Sequence, residues 1–276
     1  QQISEAWKFF RSNARQNLHN ITTLLLSWQL PTHDTTRISL ILGYGSTSDL
    51  IPLCSAKLPP GRDGVICPYF DKPGRIVGFG IYTKGEYYYS PTLIGEGGLA
   101  FLEQFHGYDK IYAVDSPKLA LAIQVFHIIL TSKLAPVVAY CAETNWAAIS
   151  RPVIVNIAPT PTILRKLRGR PNIRISTMPN EKLLKIVQNM SAKIGLAELE
   201  REATSWAESV AKYLSSQSDS EIINIGSLME LSTSDIAQIV TYCDERNKSR
   251  ITKLLSADIG KVSVAVSYTH LTLPTN

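Results

Sequence analysis

Ile111-Tyr112-Ala113-Val114-Asp115-Ser116-Pro117-Lys118-Leu119 sets the architecture of the chain. Four apolar residues are too few for a helix and suit a strand buried on both faces. Ser116 then caps a helix and Pro117 opens it, since the first helical position has no hydrogen bond for proline to lose. Leu119, Ile123 and Phe126 recur at helical spacing and point inward. The pattern repeats downstream, with strands expected over 136–140, 152–157 and 172–175. Helices are expected over 143–149, from the Thr160-Pro161 start to Leu167, and from about Glu181. Such alternation is the sequence form of a parallel sheet covered by helices.

On the N-terminal side, residues 1–108 read as a mixed α+β basic subdomain. A helix is expected over 3–28, and Pro31, Pro52, Pro59, Pro60, Gly61 and Gly64 break the next stretch into short pieces. Strand-like runs at 65–70 and 75–82 flank the turn residues Asp71-Lys72-Pro73-Gly74, a hairpin pattern, and 86–90 adds another strand. Strand geometry sends Tyr87 and Tyr89 to one face and Tyr88 to the other, which favours sheet packing over base stacking. The Gly43-Tyr44-Gly45 and Gly95-Glu96-Gly97-Gly98 segments lack the Gly-Lys-Ser/Thr ending of a phosphate loop and read as turns.

An α/β domain is assigned to 109–190 and a helical tail to 191–261. In the tail, Leu196, Leu199, Ala203, Trp206 and Val210 form one stripe, the polar tract 215–220 breaks it, and a capping-box start at Ser232 leads into Ile236, Ile239, Val240 and Cys243. Residues 266–276 resemble a translated sequencing adapter and are set aside. Read as genuine chain they would form a strand carrying a surface His270.

A chain of 276 residues that is 45% apolar and 18% charged is globular, which excludes wholesale disorder. The longest apolar run, 119–130, contains Gln124 and His127 and is too short to cross a bilayer, so a soluble protein with no membrane partner is expected. Cys54, Cys67, Cys141 and Cys243 show no metal spacing and are expected to be reduced thiols. The chain starts at Gln1 without Met or a signal segment, so a cytoplasmic protein is expected. An upstream part is expected to be missing, with the natural chain continuing past Lys261. A formal charge of +5 permits a polyanionic partner without requiring one. The five histidines pair neither with one another nor with cysteines at metal spacing, and no Gly-x-Ser-x-Gly nucleophile occurs, so a hydrolase triad is unsupported.

The 111–122 strand, turn and helix resembles the start of a Toprim domain, where an apolar strand leads into Glu-Gly and then an Asp four residues after the Glu. Upstream, Pro68, Asp71, Gly74-Arg75 and Gly78-Phe79-Gly80 are similar to the segment that precedes Toprim in bacterial and phage-type DNA primases. A weaker similarity covers 24–44. Downstream, Val153-Ile154-Val155-Asn156-Ile157-Ala158 occupies the place of the family's Asp-x-Asp. The resemblance spans about residues 20–176 and implies a Toprim-like parallel sheet flanked by helices. It further implies a primase-like DNA replication protein of a phage or mobile element, with single-stranded DNA or another nucleic acid as partner and Mg2+ or Mn2+ as cofactor if active.

The departures set the expected activity. Asp115 stands at the Glu position, Leu119 at the helix Asp position, and Asn156 and Ala158 at the Asp-x-Asp positions. Asp115 is then the candidate catalytic residue, and Asp115 with Asn156 the candidate metal site. Neither Leu nor Ala can bind a hard cation and Asn supplies a neutral oxygen, so a weak or inactive RNA-primer-synthesising nucleotidyltransferase is expected. Asp109 and Glu143 are the acids that could substitute from neighbouring loops. Asp115 also has a structural explanation, in which it accepts backbone N–H bonds at the helix start.

Arg165, Lys166, Arg168, Arg170 and Arg174, with Arg75 upstream, are the candidate phosphate contacts. The alternative for the cluster is a solvated helix C-terminus whose cations complement the dipole. The functional alternative is a non-catalytic scaffold that docks a replicative helicase or another partner.

Overall fold

The structure, a computed structural model, describes residues 1–269, with side chains to 257. The adapter-like segment therefore lies outside the described residues from position 270 onward. Its first residues continue the helix Glu245–Thr269 rather than forming a strand.

The strands are β1 (Gly43–Ser46), β2 (Asp63–Lys72), β3 (Arg75–Thr83), β4 (Glu86–Pro91), β5 (Leu99–Ala100), β6 (Ile111–Val114), β7 (Val137–Ala139), β8 (Val153–Asn156) and β9 (Ile173–Ser176). Compactness divides the chain into two units. Unit 1 holds Gln1–Ala158 and Ser176–Ala203, and unit 2 holds Pro159–Ile175 and the chain from Thr204 onward.

The α/β architecture expected from the sequence is observed in unit 1. Its strands run in the order β4-β3-β2-β5-β7-β6-β8, with β1 added on β2. β6 pairs in parallel with both β7 and β8, while β1 to β5 pair antiparallel with their neighbours. All four β6 side chains are buried, as a two-sided parallel strand requires. The helix Pro117–Thr131 begins as expected, with the Ser116 hydroxyl accepting from the Leu119 N–H at 3.2 Å. The polar interruption in its apolar run has a structural role. The fully buried Gln124 amide donates to the Ala135 carbonyl at 2.6 Å and accepts from the Ala135 N–H at 2.7 Å, pinning the entry to β7. Tyr112 donates to Glu200 at 2.8 Å, and Lys110 also pairs with Glu200, tying β6 to the helix Ala192–Glu202.

Unit 2 is helical apart from the start of β9. The helices Pro161–Leu167, Trp206–Ser215, Asp219–Met229 and Thr233–Val240 bury Leu164, Val210, Leu214, Ile222, Met229 and Ile239. The Trp206 indole N–H donates to the Leu164 carbonyl at 2.7 Å, so the largest side chain of the tail stripe also satisfies its polar edge. No helix among the described residues is long and apolar enough to cross a membrane.

Several sequence expectations need correction. The helix at 3–28 is two helices, Gln2–Gln16 and Leu18–Ser27. Asn17 leaves helical geometry at φ −114° and caps the first helix through a 2.8 Å bond from its side-chain amide to the Asn13 carbonyl. The stripe from Leu196 to Val210 is also split, because Thr204 pairs with Ile175 as an extended bridge between two helices. The helix expected at 143–149 is a single tight turn, Trp146–Ala148, capped by Asn145. The first glycine-rich segment is not a turn but strand β1, which lies close under an aromatic ring. A Cβ at Gly45 would sit 2.7 Å from the Phe10 ring.

Gly64 makes a still tighter approach, this time to backbone, since an added Cβ would fall 2.2 Å from the Tyr82 carbonyl oxygen, which the β2–β3 ladder holds in place. Gly64→Ala is expected to cost about 2–3 kcal/mol in a urea melt, whereas Gly107→Ala, which opens onto empty space, should stay within about 0.5 kcal/mol. Equal stabilities for the two variants would contradict this packing.

Candidate functional site

Asp115 follows β6 directly and Asn156 ends β8, so the parallel pairing of the two strands brings both residues to the carboxyl end of the sheet. An open α/β sheet places its sites at this end. Asn156 is 1% exposed, while Asp115 is exposed. They do not touch; Asn180, the first residue of the helix Asn180–Asn189, joins them. The Asn180 amide donates to an Asp115 carboxylate oxygen at 2.8 Å and accepts from the Asn156 amide at 3.1 Å. The Asn156 amide also donates to the Met178 carbonyl at 2.9 Å.

The direction of this relay is forced at both ends. A carboxylate and a backbone carbonyl can only accept, so both asparagines must present N–H groups to them and neither amide can flip. Asparagine at 156 is thus a donor in this structure. Its own side-chain oxygen is left buried with no hydrogen-bond partner. Tyr140 completes the surround by donating to the Asn156 backbone carbonyl at 3.1 Å. Burial first, and then the negative charge of Asp115, push the Tyr140 hydroxyl above the ordinary tyrosine range, so it remains a neutral donor.

The helix start beside Asp115 has little left to offer an anion. Pro117 has no N–H, the Lys118 N–H donates to the Tyr82 hydroxyl at 3.0 Å, and the Leu119 N–H is taken by Ser116. Tyr82 sits edge-on to Trp28 at 4.8 Å, and the Lys118 ammonium lies 5.6 Å from the Trp28 ring centre. The tyrosine run alternates as strand geometry demands. Tyr87 meets Tyr69 hydroxyl to hydroxyl at 2.6 Å, Tyr89 packs against the Tyr69 ring at 4.8 Å, and Tyr88 joins Arg62 and Glu86.

As a cation site the donor set is poor. Asp115 supplies the single carboxylate of the set, Leu119 is buried hydrocarbon and Ala158 offers none, and the free oxygen of Asn156 is sealed from solvent. Among the described residues no group of three or more His, Cys, Asp or Glu side chains is placed so that it could hold a metal ion. Asp109 precedes β6 and so lies at the far end of that strand, roughly 15–20 Å of extended chain from Asp115. Glu143 is exposed in the loop after β7. The residues present do not fit a pair of divalent cations, which need several anionic oxygens around them.

The basic candidates divide into two sets. In unit 2, Arg165 pairs with Glu230 at 2.6 Å. Arg168 pairs with Asp235 at 2.9 Å and donates to the Glu230 carbonyl at 2.9 Å. Burial raises the Asp235 carboxyl, but hydrogen bonds from Ser232 and the Arg168 charge outweigh it, and its pKa lies below the usual carboxylate value. Arg170 and Arg174 line an open cleft, and Lys166 is exposed. In unit 1, Arg75 is held by Asp71 at 3.2 Å and donates to the Ile94 carbonyl at 3.1 Å. The residue that sequence reasoning missed is Asn180. Its one signal is an amide side chain placed where the chain turns from strand to helix, after Pro179.

Solved structures share this fold. The chain aligns with the DnaG catalytic core at a TM-score of 0.51 and 16% identity, covering 93% of this chain and 97% of that one. It aligns with the RNA polymerase domain of Mycobacterium tuberculosis primase DnaG at 0.51 and 10% identity, covering 93% and 96%. A DnaG primase catalytic domain bound to ssDNA aligns at 0.50 and 13% identity, covering 94% and 96%. The fold is therefore that of the bacterial-type primase catalytic core. No family model matches the sequence, and no curated protein matches it.

The relay predicts how position 156 treats an acid. Asn156→Asp would aim a buried carboxylate at the Met178 carbonyl and the Asn180 oxygen, an expected loss of about 2–4 kcal/mol at pH 7. Such an environment raises the folded pKa of the new carboxyl above its unfolded value of about 3.9. The variant should therefore be closest to wild type below that value and lose stability as pH rises through the folded pKa. Urea melts between pH 4 and 7 check this, and a variant as stable as wild type at pH 7 would contradict the relay.

Proposed function

We propose that this chain is a primase-like replication protein that binds single-stranded DNA around a degenerate Toprim-type centre with weak or no primer synthesis. The N-terminal α+β part, residues 1–108, and the α/β part, 109–190, would form the nucleic-acid-binding body, and 191–261 a helical extension. The observation that carries the reading is the relay from Asp115 through Asn180 to Asn156. In a primase-core fold, neutral amides occupy the sheet end where nucleotidyl transfer would require acids. The chain keeps a site-shaped arrangement and holds one negative charge there.

In this reading unit 2 contacts phosphates through its basic run, Arg165, Lys166, Arg168, Arg170 and Arg174, and unit 1 through Arg75, with the ion pairs of Arg165 and Arg168 competing against phosphate. That engagement favours a second reading, a non-catalytic scaffold that docks a replicative helicase. Salt separates the two. Four phosphate contacts give a log–log salt slope of about −3 for a single strand, so affinity should fall roughly fiftyfold between 50 and 200 mM salt. Fluorescence anisotropy of a labelled oligonucleotide measures it. Lys166→Ala should reduce the slope by about 0.7, and the absence of binding at 50 mM would select the scaffold. Primer synthesis with Mg2+ or Mn2+ is expected to yield no more product than the Asp115→Asn variant. Template-dependent product lost in that variant would overturn the inactive centre.

A further inference from the structure

Arg165 lies in the last turn of the helix Pro161–Leu167 and Arg168 caps its end, where cations complement the helix dipole. A merely solvated helix end would leave both guanidinium groups in water. Instead both reach one acidic turn, between the helices Asp219–Met229 and Thr233–Val240 of the same unit. Arg165 pairs with the Glu230 carboxylate at 2.6 Å. Arg168 donates to the Glu230 carbonyl and to Asp235 Oδ2, each at 2.9 Å. Carboxylate and phosphate offer a guanidinium the same anionic oxygen acceptors, so the turn fills the places that phosphates would take.

The two pairs are not equivalent. Asp235 Oδ2 also accepts from the Ser232 N–H and hydroxyl, both at 2.8 Å, so its capping role holds it in place with or without Arg168. The side chains of that pair are 27% and 16% exposed, against 46% and 62% for Arg165 and Glu230. An exposed pair is weak and gives way to a competing anion. Glu230 also stands where a glutamate is disfavoured. Its φ of 52° and ψ of 50° are left-handed, the conformation that glycine usually supplies just past a helix. The bonds that close the helix there come from the backbone N–H groups of Glu230 and Leu231, which donate to the Ser227 and Gly226 carbonyls. A glycine would make them with less strain. What the glutamate adds is a carboxylate, and that carboxylate is on Arg165. A strained backbone position kept for one side-chain contact points to a role for the contact.

We propose that Glu230 makes an autoinhibitory contact: its carboxylate occupies Arg165 in the free protein, and a nucleic-acid phosphate must displace it, while Arg168 stays anchored on Asp235. The proposal rests on the nucleic-acid reading of the basic run and adds its regulation. The exchange needs only the rotation of two exposed side chains and leaves the Asp235 cap intact.

A double-mutant cycle on the full chain tests it, read by anisotropy of a labelled oligo-dT at 50 mM salt. Glu230→Gln is expected to bind about fivefold more tightly than wild type, and the exposed acid control Glu245→Gln to bind as wild type does. Arg165→Ala should change wild-type affinity by less than about twofold and abolish the gain when combined with Glu230→Gln. Glu230→Gly suits the left-handed turn, so it should share the gain and melt no lower than wild type, which keeps the test decisive if Glu230→Gln folds poorly. Binding by Glu230→Gln alone, lost again in Arg165→Ala, also supports the contact. A gain that persists in the absence of Arg165 is plain charge repulsion and overturns it. Salt-dependent binding that ignores position 230 overturns the contact and leaves the nucleic-acid reading standing. No binding by any variant sinks both.

Discussion

A chain of amide hydrogen bonds organises the carboxyl end of the sheet. The Met178 carbonyl and the Asp115 carboxylate are both acceptors; between them Asn156 donates to both Met178 and Asn180, and Asn180 donates to Asp115. Each amide therefore has one permitted orientation, and three separate segments are tied together: the exit of β6, the exit of β8 and the start of the helix Asn180–Asn189. At the buried Asn156 end the donors are satisfied while the side-chain oxygen is not, and the low dielectric there makes any reversal of a donor costly. The neutral side chain at 156 is thus a structural requirement of its surroundings as well as an absence of charge.

The surroundings carry the same economy of charge. The backbone donors at the start of the helix Pro117–Thr131 are spent on Tyr82 and Ser116. Tyr140 stays neutral and serves backbone. In unit 2, two arginines of the basic run are bound to Glu230 and Asp235. The exposed Arg165–Glu230 pair contributes about 0.2–1 kcal/mol, while the Arg168–Asp235 pair is partly buried, and both fix the ends of helices.

Much of this was legible in the sequence where short-range chemistry decides the outcome. The β6 strand and its Ser116-Pro117 helix start follow from four apolar residues and a cap, and the Thr160-Pro161 start repeats the logic with Thr160 accepting from the Ile163 N–H. Long-range contacts were not legible. Strand β1 forms by pairing with β2 and packs against Phe10, and the break in the 196–210 stripe exists because Thr204 pairs with Ile175, a partner far off in sequence. At the site, strand ends pointed to Asp115 and Asn156. Asn180, which joins them, carries no periodicity or motif of its own, and neither do the carboxylates that engage Arg165 and Arg168.

Whether the sheet end has lost its capacity for divalent cations can be read from a Mn2+ titration of the full chain followed by electron paramagnetic resonance. The sharp six-line signal of hydrated Mn2+ is expected to persist undiminished with protein in excess, in wild type and in Asp115→Asn alike. Loss of that signal in wild type, restored by Asp115→Asn, would show a working cation site and contradict the view that amides have replaced it.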